Sequence, residues 1–257
     1  MKFVVTAPPY NNKSAGAVML YTLCDELKRL GFDAEIMQFD KAAPIPDDAI
    51  VIYPEVIDGN PLKAKNVVRY FLNREGYASG NKVNAGPNDF ILAFNKLYHP
   101  NPHAIVRIEN LTKHAYLAGS KPTMERKLDC TYIGKGLFYS DKCKVIEGTI
   151  EITRTAPAEK QGLADLLRQT RFLFTYDSCS ALSAEAILCG AVVVPLMFHP
   201  YTAEEIECPF ATVSENAIFI PDDYEEKRKD YLSMVLNFDL AKQTEEFAKK
   251  AIKHFNA

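Results

Sequence analysis

Several features that would settle a function at a glance are missing from this sequence. It has no C-x-x-C pair, no D-x-D acid pair, no short-period repeat and no low-complexity tract. The six cysteines, at positions 24, 130, 143, 179, 189 and 208, are scattered, and several lie in apolar stretches. Neither a disulfide framework nor a structural zinc site is therefore expected. No apolar run approaches the roughly 18 residues of a membrane span. The opening Met1 to Thr6 is not followed by an apolar core with a small-residue cleavage site, so the expected location is the cytoplasm. Basic charge is not in surplus either. The 33 Asp and Glu residues against 30 Lys and Arg give a net charge of −3, which argues against nonspecific nucleic-acid binding.

What the chain does have is apolar side chain, 47% of 257 residues, enough for two cores of ordinary size. Short β-branched runs alternate with helical spacings. Lys2 to Thr6 reads as a strand, and Ala7 to Gly16 as a loop of turn formers. Val18 to Leu30 reads as a helix with Leu20, Leu23, Cys24, Leu27 and Leu30 on one face. Ala34 to Gln38, Ala49 to Tyr53, Asp89 to Phe94 and Ala104 to Ile108 are strand-like, and Asn66 to Asn73 reads as a short helix stopped near Gly76. A linker is expected from Asn110 to Arg126, around Gly119-Ser-Lys-Pro122. Strands then follow at Cys130 to Ile133 and Val145 to Ile152, a helix at Lys160 to Gln169, a strand at Arg171 to Tyr176, a helix at Ser178 to Leu188 and a strand at 191–196. Tyr224 to Phe255 is charged and helical with an interrupted apolar stripe. The fold class predicted is α/β, with two Rossmann-like doubly wound domains whose strand ends face a cleft.

The densest chemistry lies in Tyr176 to Pro195, where Asp177 and Glu185 flank seven residues. Asp177 falls at a strand-to-helix turn. A helix start presents unpaired N–H groups and a positive dipole end, so the amides around Ser178, Cys179 and Ser180 suit a diphosphate. Glu185 suits the two vicinal hydroxyls of a ribose. The plainer alternative makes Asp177 an N-cap, Glu185 a solvated helix residue and Gly190 a C-cap. Lys135 stands between Gly134 and Gly136 directly after a strand. The glycines permit close backbone approach to a ligand and the ammonium offers charge to a phosphate, the alternative being a solvated turn. Gly16 either faces a ligand or belongs to an ordinary turn capped by Ser14. Glu55, at another strand end, is a general base for an acceptor hydroxyl, a sugar-orienting group or a loop cap. Arg154, between Thr153 and Thr155, is a ligand contact or a surface residue. His99 and His103 bracket Pro100-Asn-Pro102 without a carboxylate or thiol partner, so a surface loop and no metal site is expected there.

Asp177-x7-Glu185, followed by Ala186, Cys189-Gly190 and Val192-Val-Val-Pro195, resembles the E-x7-E segment of retaining, family 4-like glycosyltransferases of GT-B architecture. Pro54-Glu-Val-Ile-Asp-Gly-Asn-Pro-Leu62 with Val67-Val-Arg-Tyr-Phe-Leu-Asn73 resembles bacterial polysaccharide glycosyltransferases. Here the first acid is Asp rather than Glu, and Cys179-Ser180 replaces the usual Phe-Gly. The resemblance implies an acceptor-side domain at 1–118, a nucleotide-sugar domain at 119–235 and a final helix at 236–257 returning to the first. It further implies sugar transfer from a nucleoside diphosphate-sugar donor to a glycan or lipid-linked glycan, in the cytoplasm or peripherally at the inner membrane. Glu185 would hold the ribose, Asp177 the donor sugar and Lys135 the leaving diphosphate, with Ser178, Cys179, Ser180, Arg154, Gly134 and Gly16 around the donor. No cofactor or metal is implied. The alternatives are a non-catalytic nucleotide-sugar-binding protein and a sugar-nucleotide epimerase of GT-B shape.

Overall fold

The computed structural model describes residues 1–41, 43–77, 80, 82–108, 123–198, 201–206, 208–214 and 217–256. The chain divides into two units, Met1–Asn110 with Asp239–Ala257, and Leu111–Phe238. In the first, β1 (Phe3–Ala7), β2 (Ala34–Gln38), β3 (Ile50–Pro54), β4 (Asn66–Phe71), β5 (Phe90–Ala93) and β6 (Ala104–Ile105) pair in parallel in the order β2-β1-β3-β4-β5-β6. Helix α1 (Ala15–Arg29) connects β1 to β2. The two-residue period of β1 sends Phe3 and Val5 toward Leu20, Leu23, Cys24 and Leu27 of α1, and Val4 to the other face with Val51, Tyr53 and Val67.

Asn66 to Asn73 is not the helix that the sequence suggested. β4 lies between β3 and β5, and a central strand buried on both faces loses the alternation that separates strand from helix. Its β-branched and aromatic content carried the correct signal. Even Arg69 on this strand is buried. Its guanidinium donates to Asp89 Oδ2 at 2.6 Å and lies 5.2 Å from the Tyr53 ring centroid. The strand expected at Ala104 to Ile108 shortens to Ala104–Ile105.

Of the expected linker, residues 110–122 lie outside the described residues, while Thr123–Glu125 form a single 3-10 turn. In the second unit β7 (Leu128–Tyr132), β8 (Ile150–Ile152), β9 (Thr170–Thr175) and β10 (Val192–Pro195) form a parallel sheet in the order β10-β9-β7-β8. β8 is shorter than expected because Gly148, at φ +79°, turns the chain and the Thr149 N–H donates to Ile146 O. Helices α2 (Lys160–Leu167) and α3 (Ala181–Leu188) pack on this sheet through Ala164, Leu167, Ala184 and Ile187, and α4 (Tyr224–Leu236) through Tyr231 and Val235. A hairpin of β11 (Thr212–Ser214) and β12 (Ala217–Phe219) precedes α4. The helical tail is two helices rather than one. α4 ends before Asn237, and Asp239 caps α5 (Leu240–Phe255) by accepting from the Lys242 N–H at 2.9 Å. α5 belongs to the first unit, where Phe247 packs against Phe3 and Phe90.

Strand order locates the crevices. In the first sheet the chain leaves β1 toward β2 on one side and β3 toward β4 on the other, and in the second it leaves β7 toward β8 and β9 toward β10 in opposite directions. Ligands of doubly wound sheets bind at such switch points, outside the carboxyl ends of the strands. Gly16 and Glu55 follow β1 and β3, and Lys135 and Asp177 follow β7 and β9.

A buried arginine holds the second unit together behind its switch point. Arg126 donates to Thr170 O at 3.0 Å and to Cys189 O at 2.9 Å, just past the last turn of α3. Gly190 sits there at φ +81°, with the guanidinium 2.7 Å from where a Cβ would be. Two buried carbonyls lose this donor in Arg126→Met, which should lower stability by about 2–3 kcal/mol, read as a fall in the urea midpoint at constant slope.

Candidate functional site at the second switch point

The exits of β7 and β9 are stitched to one another. The Tyr176 N–H donates to Tyr132 O at 3.0 Å, and Thr175 Oγ1 accepts from the Asp177 N–H at 3.0 Å. Asp177 Oδ2 then receives two donors from one residue, the Lys135 N–H at 3.1 Å and Lys135 Nζ at 3.3 Å. Lys135 lies in the 3-10 turn Gly134–Phe138, whose two glycines are set by this packing. Gly134 has φ +56°, and a Cβ on it would meet the Tyr132 ring at 2.6 Å and Asp177 Oδ2 at 2.7 Å. On Gly136 a Cβ would lie 2.5 Å from that of Tyr176. Close approach therefore occurs, but the turn approaches the β9 exit itself.

Helix α3 begins at Ala181, later than the expected start at Ser178. Ser178 and Cys179 form a turn before it, and Ser180 is the N-cap, its Oγ accepting from the Ser183 N–H at 3.2 Å. The helix-start amides are thus those of Ala181 and Leu182 rather than of Ser178 to Ser180. Asp177 is not the cap. Glu185 is not a solvated helix residue either. Its side chain is 2% exposed and its Oε1 accepts from Lys160 Nζ at 2.7 Å. Lys160, the first residue of α2, is the participant that sequence reading missed. No local pattern marks it, because the pair joins residues 25 apart.

Both acids act on a third group. Burial pushes the Tyr132 phenol up to about 12, with Asp177 and Glu185 adding to the shift and Arg154 opposing it. Burial and then Asp177 likewise raise the Tyr139 phenol. Arg154 is exposed on a turn closed by Thr153, whose Oγ1 accepts from the Ala156 N–H at 2.9 Å. Asp177, Glu185, Lys135, Lys160, Tyr132 and Arg154 therefore share one neighbourhood. The groups it turns outward are cationic. The Lys135 and Lys160 side chains are 20% and 36% exposed, against 1% and 2% for their carboxylate partners.

In the first unit the candidates form a separate arrangement. Glu55 is buried, its N–H donating to Tyr70 O and its Oε2 accepting from the Leu72 N–H at 3.0 Å. Gly16 lies in the first turn of α1, with space for a Cβ 3.9 Å from Leu72 Cδ1, and Ser14 caps the helix. His103 Nδ1 accepts from the Ile91 N–H and its ring stacks on Phe90, while His99 packs on Phe71. Among the described residues no group of three or more His, Cys, Asp or Glu is placed to hold a metal ion, and no helix is long and apolar enough to cross a membrane. No protein-family model matches the chain, and comparison with curated proteins gives no match.

Two glycines with similar backbone but different surroundings test the packing of the site. Gly148, at φ +79°, has nothing within 4 Å of where a Cβ would lie, so Gly148→Ala should cost only the about 1–2 kcal/mol of left-handed strain. Gly134→Ala adds the displacement of Asp177 and should cost about 1–3 kcal/mol more, measured as the difference between the two urea midpoints.

Proposed function

We propose that the chain is a GT-B glycosyltransferase that moves a sugar from a nucleoside diphosphate donor to an acceptor hydroxyl, with retention of configuration, in bacterial surface-polysaccharide synthesis. The second unit takes the donor and the first the acceptor. One observation carries the reading: two buried carboxylates at the second switch point each hold an outward-facing lysine, Lys135 on Asp177 and Lys160 on Glu185. Such a surface suits a diphosphate. As the glycosidic bond breaks, negative charge grows on the leaving phosphate, and a cation already fixed in place stabilises that charge without reorganising. Lys135 meets this requirement through its own backbone, since the Asp177 carboxylate that pairs with the ammonium also binds the Lys135 N–H. Glu185, eight positions after Asp177 on the same segment, is assigned the nucleotide ribose, and Arg154 the rim of the donor site.

A second reading, a nucleotide-sugar-binding protein without transfer, draws support from the Asp177 side chain, which at 1% exposure is turned away from any sugar. Donor hydrolysis in the absence of acceptor separates the two. A transferase releases free sugar and nucleoside diphosphate slowly from its donor, and a binding module does not. Because lysines supply the charge in this reading, turnover should survive EDTA. Lys135→Ala should lower kcat by about 10²-fold while changing donor affinity far less. Steady-state rates with and without chelator, and on the variant, check both, and an unchanged kcat would return Lys135 to a turn-forming role.

A further inference from the structure

Glu185 has two claims on it. As the ribose residue of the donor-binding reading, on which this inference rests, it must accept hydrogen bonds from two hydroxyls. In the structure its Oε1 accepts from Lys160 Nζ at 2.7 Å, and the carboxylate is 2% exposed. With the carboxylate 2% exposed and Lys160 its outward partner, a vicinal diol reaches it only once the ammonium has moved aside. Lys160 is the first residue of α2, and its head sits at the end of a four-carbon stem, so it can leave Glu185 without moving the helix. An ammonium leaving a buried carboxylate is favourable only if another anion receives it. Lys135 on the neighbouring turn is placed to draw a diphosphate to this switch point, and that diphosphate supplies the anion.

We propose that Lys160 is a partner-exchanging cation, resting on Glu185 in the free protein and moving to the donor diphosphate as the ribose takes its place. Ribose and phosphate recognition are then coupled. A nucleoside meets a carboxylate already occupied, whereas a nucleoside diphosphate brings the group that vacates it. The site thereby selects nucleotides over nucleosides by more than the phosphate contacts alone would provide. Nothing in the local sequence of either residue conveys this, since neither flanking segment carries the other's partner.

The test is calorimetry on the full chain with UDP, GDP, ADP, CDP and dTDP and their nucleosides, taking forward the base that the wild type binds, and with inorganic pyrophosphate. Lys160→Met should weaken the diphosphate by about tenfold or more, the scale of one lost charge-assisted hydrogen bond, and, by freeing Glu185, tighten the nucleoside. The affinity ratio between the two then narrows by more than the loss on the diphosphate alone, and Lys160→Arg restores it. Glu185→Gln releases the ammonium, so pyrophosphate should bind at least as tightly as to wild type while the nucleoside weakens. This second arm decides the matter if Lys160→Met does not fold. A ratio within twofold of wild type in folded Lys160→Met, or pyrophosphate binding that weakens in Glu185→Gln, overturns the exchange and leaves the donor reading standing. A wild type that binds none of the five diphosphates overturns the donor reading and the exchange with it.

Discussion

Two carboxylates removed from water, Asp177 at the exit of β9 and Glu185 in the helix that follows, must be given cations, and the parts of the second unit around them are arranged to meet that demand. An ionised acid at 1% or 2% exposure is tolerated only when paired, and stripping the partner from such a pair costs about 3–5 kcal/mol. Asp177 is met by the backbone and the side chain of Lys135 at once, which fixes the 134–138 turn against the exit of β9. Glu185 is met by Lys160, which ties the start of α2 to the middle of α3. Two segments that read as separate motifs, Gly134-Lys135-Gly136 and Asp177-x7-Glu185, are therefore one object, and α2 is its third part.

The same demand explains the small residues around it. Gly134 and Gly136 leave no room for a side chain because the turn must come close enough for the Lys135 N–H to reach Asp177. Gly190 serves the far end of α3, where the Arg126 guanidinium occupies the space a Cβ would need. Each glycine answers a contact within the protein, so ligand approach is not required to account for any of them.

Alternation of strand and helix was legible because β-branched runs and helical apolar spacing are local signals. β4 escaped because burial on both faces erases the two-residue period, and the buried Arg69 within it reads as a polar helix position unless Asp89, twenty residues on, is known to face it. Asp177, Lys135 and Glu55 were legible as residues worth attention because they follow strands, and Glu185 because of its spacing from Asp177. Their partners were not. Lys135 and Asp177 are 42 positions apart and Lys160 and Glu185 are 25 apart. Such pairings are set by strand order, which a single sequence does not display. The start of α2 at Lys160 was read correctly, while that of α3 was placed three residues early for a related reason: a serine at 178 and another at 180 are equally good caps on paper, and only the Ser180 hydroxyl meets an amide three residues on.

The two sheets use their switch-point acids in different ways. After β3, Glu55 accepts from the Leu72 N–H and so ties the exit of one strand to the exit of the next through the main chain. After β9, Asp177 binds a lysine, and Glu185 eight residues later binds another. An acid that holds main chain adds rigidity without changing the sign of what the crevice offers. An acid that holds a lysine cancels its own charge and leaves an ammonium facing outward, positioned but still able to move at the end of a flexible stem. The second arrangement holds ammonium groups in place at the crevice, the preorganised positive charge that a departing diphosphate calls for in the proposed reaction, and on that ground the donor is proposed for the second unit.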